Sequence, residues 1–363
     1  MRVVLSGYYG FDNAGDEALL AAISGSLRTF SDSIEITVLS GNPARTTALH
    51  GVRAISRVNP FMLLKEFKQA DLLISGGGSL LQDVTGPLSI PYYLGIAALA
   101  KLMGTPVVFY AQGIGPVNRR IGQRLIKLIA DRVDLITLRD EDSAKCLKEL
   151  GVKRVSIIVT ADPVFSMRAA PDNEARGRKY LEDLGLGKED SIIGVSLRPW
   201  NQFNDHHMAE FLDSLADMGH QILLLPLQFP EDLRQVKKIQ SLMNKSAFIA
   251  DKPMTSADLI GLISHLQLLV GMRLHSLIFA ACAGIPFEGI AYDPKVESLL
   301  SLFEKRPIIS GSIFNVDLAA TAVSQTIKQG LQIAEDVREK AAGLKERSDA
   351  TARLVFSVLE NHQ

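Results

Sequence analysis

Cysteine is scarce in this 363-residue chain: Cys146 and Cys282 are the only two, and neither sits in a Cys-x-x-Cys pair or a zinc-ligand cluster. That excludes a disulfide-stapled scaffold and a structural zinc site, and suggests a reducing, intracellular setting. Charge of one sign is lacking as well. Lys and Arg number 39 against 40 Asp and Glu, a formal net charge of −1, so no global basic field exists to hold nucleic acid by counterion release. Near the N-terminus only Val3 to Leu5 is an apolar run, where a secretory signal needs about 7–15 apolar residues, and a cytoplasmic location is expected. No membrane span is expected either. The longest apolar stretch, Leu266 to Ile290, carries Arg273 and His275 near its middle, where Arg costs about 2.5–3.5 kcal/mol on insertion scales. Pro87 to Ala100 falls short of the ~20 residues of a span. No glycine loop is followed by Gly-Lys-Ser/Thr, and the G-x-G-x-x-G fingerprint is missing, so triphosphate hydrolysis and NAD chemistry lose support.

What is present is an ordinary globular composition, 47% apolar and 22% charged, with length for roughly two domains. Short β-rich runs at Val3–Ser6, Ile34–Leu39, Asp71–Ser75, Pro106–Ala111, Leu135–Leu138 and Ser156–Val159 alternate with amphipathic segments. Such alternation predicts a parallel, doubly wound sheet. A polar stretch follows Asp162-Pro163, and the pattern restarts with strands at Ser191–Leu197, Gln221–Leu225, Ala247–Ile249, Leu268–Val270 and Pro286–Ile290. The fold expected is therefore α/β, two Rossmann-like domains facing a cleft: residues 1–168, a linker at 169–190, and residues 191–330. A helical tail, 331–363, packs back on the first domain in this reading.

Ligands of such sheets sit at the carboxyl ends of strands, so chemistry is sought in the loops there. After the first strand comes Gly7-Tyr8-Tyr9-Gly10-Phe11-Asp12-Asn13-Ala14-Gly15-Asp16-Glu17, glycines followed by a helix start. It reads either as a ligand loop or as a tight turn with Asp16 as the helix cap. Ser75-Gly76-Gly77-Gly78-Ser79, with Gln82 and Asp83 just beyond, and Ala111-Gln112-Gly113 share that edge. In the second half, Gly271-Met272-Arg273-Leu274-His275-Ser276 joins an apolar strand to a helix whose N-terminus adds positive potential, a place suited to carboxylate or phosphate. Arg198 and Lys295 also follow strands of that half. Asp140 reads as a helix cap in preference to part of an Asp-x-Asp metal motif. Arg120, Arg124 and Lys127 form a basic stripe, a solvated face or a contact for anionic lipid or a lipid-linked pyrophosphate.

Taken in order, Asn13-Ala14-Gly15-Asp16-Glu17, Gly76-Gly77-Gly78-Ser79, Gln112-Gly113-Ile114-Gly115-Pro116, Arg139-Asp140-x-x-Ser143, Asp162-Pro163-Val164-Phe165, Arg273-Leu274-His275 and Tyr292-Asp293-Pro294-Lys295 resemble the polysaccharide pyruvyltransferase family, closely its CsaB type. The resemblance implies a GT-B-like fold, phosphoenolpyruvate as co-substrate with no further cofactor and no metal, and a lipid-linked oligosaccharide acceptor. For the CsaB type it implies a 4,6-ketal on N-acetylmannosamine of a secondary cell wall polymer, serving S-layer anchoring, with peripheral contact at the inner membrane face. His275 is then expected as general acid/base beside Arg273. Arg198, Arg273, Lys295 and Ser276 fall on the donor side, and Asn13, Asp16, Gly77, Gly78, Ser79, Gln82, Asp83 and Gln112 on the acceptor side. Two rivals stay open. A nucleotide-sugar glycosyltransferase needs a carboxylate for the donor ribose, for which Glu288 is the candidate, and a non-catalytic polymer-binding scaffold leaves the Arg273/His275 pair without purpose.

Overall fold

The computed structural model describes residues 1–363 except 32, 85, 201–203, 311–313 and 361–363. The chain divides into two compact units, Met1–Asp12 with Asp16–Ser166 and Leu344–Gln363, and Asn13–Gly15 with Met167–Gly343. Each is an α/β unit around one parallel sheet.

The first unit is built from strands β1 (Arg2–Tyr9), β2 (Glu35–Ser40), β3 (Arg53–Ser56), β4 (Leu72–Gly76), β5 (Val107–Gln112), β6 (Leu135–Leu138) and β7 (Ile157–Val159). Between them run helices α1 (Ala14–Arg28), α2 (Pro43–His50), α3 (Pro60–Phe67), α4 (Ser89–Leu102), α5 (Arg120–Ala130) and α6 (Glu141–Glu149). The order β3-β2-β1-β4-β5-β6-β7 reverses between β1 and β4. Successive residues of a strand point to opposite faces, so Val4, Leu73, Val107 and Phe109 pack with Phe67, Leu94, Ile126 and Leu147 of the helices on one side. Val3, Leu5, Leu72, Ile74 and Val108 pack on the other, with Leu20 and Ile23 of α1 and with Val355 and Leu359 from the C-terminal helix.

The second unit opens with α7 (Pro171–Asp183) and continues β8 (Ile192–Ser196), α8 (Asp205–Asp217), β9 (Gln221–Leu224), α9 (Glu231–Leu242), β10 (Ala247–Ile249), α10 (Ser256–Ile263), β11 (Leu268–Gly271), α11 (Leu274–Ala283), β12 (Phe287–Ala291), α12 (Pro294–Leu302), β13 (Ile309–Ser310), α13 (Val316–Lys328) and α14 (Gly330–Glu360). Its sheet has the order β10-β9-β8-β11-β12-β13, with the reversal between β8 and β11.

Several boundaries differ from the sequence reading. The expected linker, 169–190, contains helix α7: its charges lie on the outer face, while Gly177 and Leu181 are buried. Gly177 faces Gly261 of α10 closely enough that a Cβ at 177 would lie 2.4 Å from the Leu262 nitrogen, so the two backbones pack with no side chain between them. The expected tail, 331–363, is helix α14, preceded by α13 at the end of the second domain, and from Leu344 onward α14 belongs to the first unit. The tail's last three residues lie outside the described ones. Strand β3, with an exposed Arg53, lacks the apolar run that would announce it.

Substituting Gly177→Ala forces backbone apart, and we expect a loss of about 1–3 kcal/mol in urea unfolding, as for overpacked interiors. Gly343→Ala, at an open helical position, should instead gain about 0.5–1 kcal/mol.

Candidate active site

In parallel sheets the ligand crevice opens where the strand order reverses. In the second unit that point is flanked by β8 and β11, which pair Ser196 with Gly271, and β12 follows directly, pairing Gly289 with Gly271. Arg198 lies two residues beyond β8, Arg273 and His275 just beyond β11, and Tyr292 and Lys295 just beyond β12. Thus the cations named from sequence stand at the carboxyl ends of three adjacent strands.

They form two groups. Arg198 donates from Nη1 to the Tyr292 hydroxyl at 3.0 Å, and its guanidinium carbon sits 4.9 Å from the centre of that ring. Its Nε is buried with no partner among the described residues. Lys295 Nζ lies 5.7 Å from the same ring and 3.2 Å from Asp293, whose other oxygen caps α12 through the Lys295 backbone N–H. Tyr292 is therefore the surface over which both cations are held. Trp200 packs against it at 4.9 Å.

Arg273 occupies the N-cap position of α11 and turns toward Asp232. Its Nε donates to Asp232 Oδ2 at 2.9 Å, and its Nη2 to Asp232 Oδ1 and, at 3.0 Å, to Gln228 Oε1. Asp232 is fully buried and also accepts from the backbone N–H groups of Leu227 and Gln228. Nη1 of Arg273 stays without a partner among the described residues, so half of the guanidinium fork is held and half is offered. Sequence reasoning missed Asp232. Its neighbours Pro230-Glu231 mark a helix start, and nothing local says that the carboxylate faces an arginine 41 positions away.

His275 stands in the first turn of α11 with its ring 6.3 Å from that of Phe279. Asn13–Gly15 belongs to the same unit, with Asn13 bridged to Gln228 and the Ala14 N–H bonded to the Leu227 carbonyl at 2.8 Å. A Cβ at Gly15 would lie 2.2 Å from His275 Nδ1. Glycine at 15 thus makes room for the histidine ring. Ser276, expected on the donor side, is buried and spends its hydroxyl on the Arg273 carbonyl at 2.6 Å.

In the first unit the reversal lies between β1 and β4, and the glycine loop follows β4 directly. Gly77 and Gly78 have φ of +61° and +73°, a region closed to most side chains. The Asp16 carboxylate approaches this loop: a Cβ on Gly78 would be 3.4 Å from its Oδ1. Ser79 accepts from Arg139 Nη2 at 2.9 Å, and the same buried arginine reaches Asp162 at 3.2 Å. Asp140 caps α6, accepting from the Ser143 N–H at 2.7 Å.

Other residues assigned to the acceptor side hold the chain to itself. Gln112 is fully buried, and its amide donates to the Ser75 carbonyl and hydroxyl, the latter at 2.7 Å, which stitches β5 to β4. Gln82 accepts from the Val84 N–H at 2.7 Å. Asp83 accepts from the backbone N–H groups of Asn118 and Arg119, the latter at 2.7 Å, which anchors the entry to α5. Burial works to raise its pKa, but those two N–H donors outweigh it and hold the carboxyl below the usual aspartate value. Glu17 accepts from the Gly10 N–H and lies 2.7 Å from His50. Of the residues assigned to the acceptor side, Gly77, Gly78, Ser79 and Asp16 thus gather at the loop, whereas Gln112 ties β5 to β4 and Asp83 holds the entry to α5.

Two outcomes follow. Asp232→Ala strands a partly buried arginine and should cost about 3–5 kcal/mol in urea unfolding, with much of that loss recovered in the Asp232→Ala/Arg273→Met double variant. Because the Asp83 pKa is depressed on folding, its stabilisation is present above the unfolded carboxylate value and disappears as pH falls through the lower folded value. The stability difference between the wild type and Asp83→Asn should therefore be constant above about pH 5 and shrink on acidification below about pH 4.

Comparison with known proteins gives the site its context. The family model described as polysaccharide pyruvyl transferase matches residues 13–294, spanning the Asn13 loop, the glycine loop and the Arg273–His275 turn. The amylovoran biosynthesis protein AmsJ of Erwinia amylovora is 22% identical over 356 residues, covering 81% of this chain and 84% of that protein. Among solved structures, the UDP-GlcNAc 2-epimerase of Neisseria meningitidis superposes with a TM-score of 0.66 at 11% identity, over 98% of this chain and all of that one. HepE of Anabaena, solved with UDP and glucose, gives 0.61 at 12% identity, over 99% and 98%. At such identity the solved structures speak for the fold alone, two parallel-sheet α/β domains as in GT-B-like glycosyltransferases and epimerases. The match over most of the chain does more: this chain belongs to the polysaccharide pyruvyl transferase family.

Proposed function

We propose that the chain moves the pyruvyl group of phosphoenolpyruvate onto two hydroxyls of a sugar in a lipid-linked cell-envelope polysaccharide precursor. The observation that carries this reading is the strand reversal of the second unit, with Arg198 on one side, Arg273 and His275 on the other, and Lys295 on the next strand. A small molecule bearing both carboxylate and phosphate suits such a set. The Nη1 of Arg273 and the guanidinium of Arg198 are the forks for planar carboxylate or phosphate oxygens, and Lys295 adds a point charge.

In this mechanism His275 donates a proton to the methylene carbon of the enol, which becomes a methyl group. The positive charge develops at the adjacent carbon. One sugar hydroxyl adds there and gives up its proton to a base, phosphate leaves with its C–O electron pair, and the second hydroxyl closes the ketal, losing its own proton. The cations offset the charge gathering on the departing phosphate. Among acceptor-side acids, Asp16 stands at the glycine loop, while Asp83 is spent on backbone N–H groups. The CsaB-type acceptor, N-acetylmannosamine ketalised at its 4- and 6-hydroxyls in a polymer that anchors S-layer proteins, is the substrate we assign on the resemblance. The amylovoran relative supports a polysaccharide acceptor in the broader sense.

Glycosyl transfer from a nucleotide sugar is the weaker reading. Glu288, the carboxylate that reading requires, is buried and accepts from Lys305 Nζ at 2.7 Å and Thr326 Oγ1 at 2.6 Å. It is occupied as a strand-to-helix tie.

Phosphate release from phosphoenolpyruvate is the test, with a synthetic N-acetylmannosamine-containing disaccharide as acceptor and UDP-sugars run in parallel. Acceptor-dependent release is expected, falling by about 10²–10⁴-fold in His275→Ala with the melting transition retained. Turnover of a UDP-sugar in place of phosphoenolpyruvate, or His275→Ala activity equal to wild type, would overturn the reading.

A further inference from the structure

The first unit carries an apolar surface that none of the site chemistry uses. Val58 and Phe61 at the start of α3, Leu88 before α4 and Ile121 in the first turn of α5 are 72%, 83%, 74% and 70% exposed. Met62 and Val84 are exposed beside them. These residues are far apart in sequence but share one edge of the unit. The Tyr92 hydroxyl of α4 donates to the Arg57 carbonyl at 2.9 Å, which joins the entry of α3 to the first turns of α4. Asp83 joins the segment before α4 to Asn118 and Arg119 before α5, and Gly122 packs against Ile90, where a Cβ would come within 2.9 Å. All three helix starts follow the carboxyl ends of β3, β4 and β5, the edge that also presents the glycine loop.

Charge around this surface has one sign. From Val84 to Ala130 the sequence holds no Asp or Glu, while Arg119, Arg120, Arg124 and Lys127 are exposed on it, and Lys65 and Lys68 are exposed on α3. Glu66 of α3 is bound to Arg53, and Asp83 is buried in its backbone clasp. The patch ends at α6, whose first turn exposes Glu141 and Asp142.

We propose that this edge of the first unit docks on the surface of an anionic lipid bilayer, with Phe61, Leu88 and Ile121 entering the headgroup boundary and Arg119, Arg120 and Arg124 meeting lipid phosphates. Exposed large apolar side chains rimmed by cations are the arrangement that such interfaces select. A second copy of the chain is the poorer occupant, because a two-fold contact brings each patch against itself and sets its cations against like charge. No helix among the described residues is long and apolar enough to cross a membrane, so the contact is peripheral. The inference goes beyond the pyruvyl-transfer reading and stands independently of it.

Co-sedimentation of the full chain with vesicles tests it, using phosphatidylcholine alone and phosphatidylcholine doped with phosphatidylglycerol, at low and high salt. Binding is expected only to the anionic vesicles, weakened by salt. It should fall about fivefold for each cation removed in Arg120→Gln and Arg124→Gln and be lost in Phe61→Asp. Leu331→Asp, at a fully solvated apolar position of α14, should bind as wild type. Because these side chains are exposed, their variants are expected to melt with the wild type. Phosphate release with a water-soluble disaccharide should be unchanged in Phe61→Asp, which keeps a failure of docking distinct from a failure of catalysis. Equal binding of wild type and Phe61→Asp, or no binding to anionic vesicles, overturns the proposal. So does a dimer, seen by sedimentation velocity, that Phe61→Asp dissociates while lipid binding is absent.

Discussion

One fully buried carboxylate, Asp232, decides where Arg273 points. A carboxylate removed from water is expensive to hold, and the cost is met only when every oxygen is used. Here two backbone N–H groups and two nitrogens of the guanidinium use them. The result fixes more than one side chain. Arg273 occupies the N-cap position of α11, so holding it places the start of that helix, in whose first turn His275 stands. Leu227 and Gln228, held by the same carboxylate, carry the bonds to Asn13 and Ala14, and Gly15 then leaves space for the ring. The first unit uses the same device: buried Arg139 spans Ser79 and Asp162, and Asp83 gathers Asn118 and Arg119. Loops at strand ends are the least self-supporting parts of a parallel sheet, and in both units a charge-assisted tie stands under them.

Alternating β-rich and amphipathic segments made the two parallel sheets legible, because strands buried on both faces must be apolar along their length and their crossover helices must be amphipathic. Strand β3 escaped notice for the converse reason: four residues with one buried apolar side chain leave no run to see. Helix α7 looked like a linker since its outer face is charged, and only contact with α10 reveals that Gly177 is a packing surface and not a break. Both misses concern elements whose identity is set by a neighbour and not by their own pattern.

The candidate site divides along similar lines. Positions at strand ends were readable, which is why Arg198, Arg273, His275 and Lys295 fall where three adjacent strands end. Partnerships were not. Gln112 and Asp83 have the composition of ligand-binding residues and stand at the right rim, yet the hydrogen bonds that claim them run to backbone groups 37 and 35 positions away. A polar side chain at a strand end has two uses, to bind a ligand or to hold the loop that does, and sequence spacing alone does not separate them. The blocks that mark the family mix both: Arg273-Leu274-His275 stands at the strand reversal, while Arg139-Asp140-x-x-Ser143 and Asp162-Pro163 supply ties.

The same distinction separates this chain from the solved proteins that share its fold. Their likeness at 11–12% identity reports that two parallel sheets of this kind tolerate nearly any apolar content. Function then rests on which strand-end groups remain available. Glu288 stands inside β12 with both Lys305 and Thr326 bound to one oxygen, so its charge is offset within the unit. Just beyond the strand beside it stands Arg273, and two strands away Arg198 keeps a buried Nε without a partner among the described residues. An acid engaged within the unit and cations at the ends of adjacent strands are what the proposal of a small anionic donor rests on, and fold-level analogy with nucleotide-sugar enzymes does not decide between that donor and a nucleotide sugar.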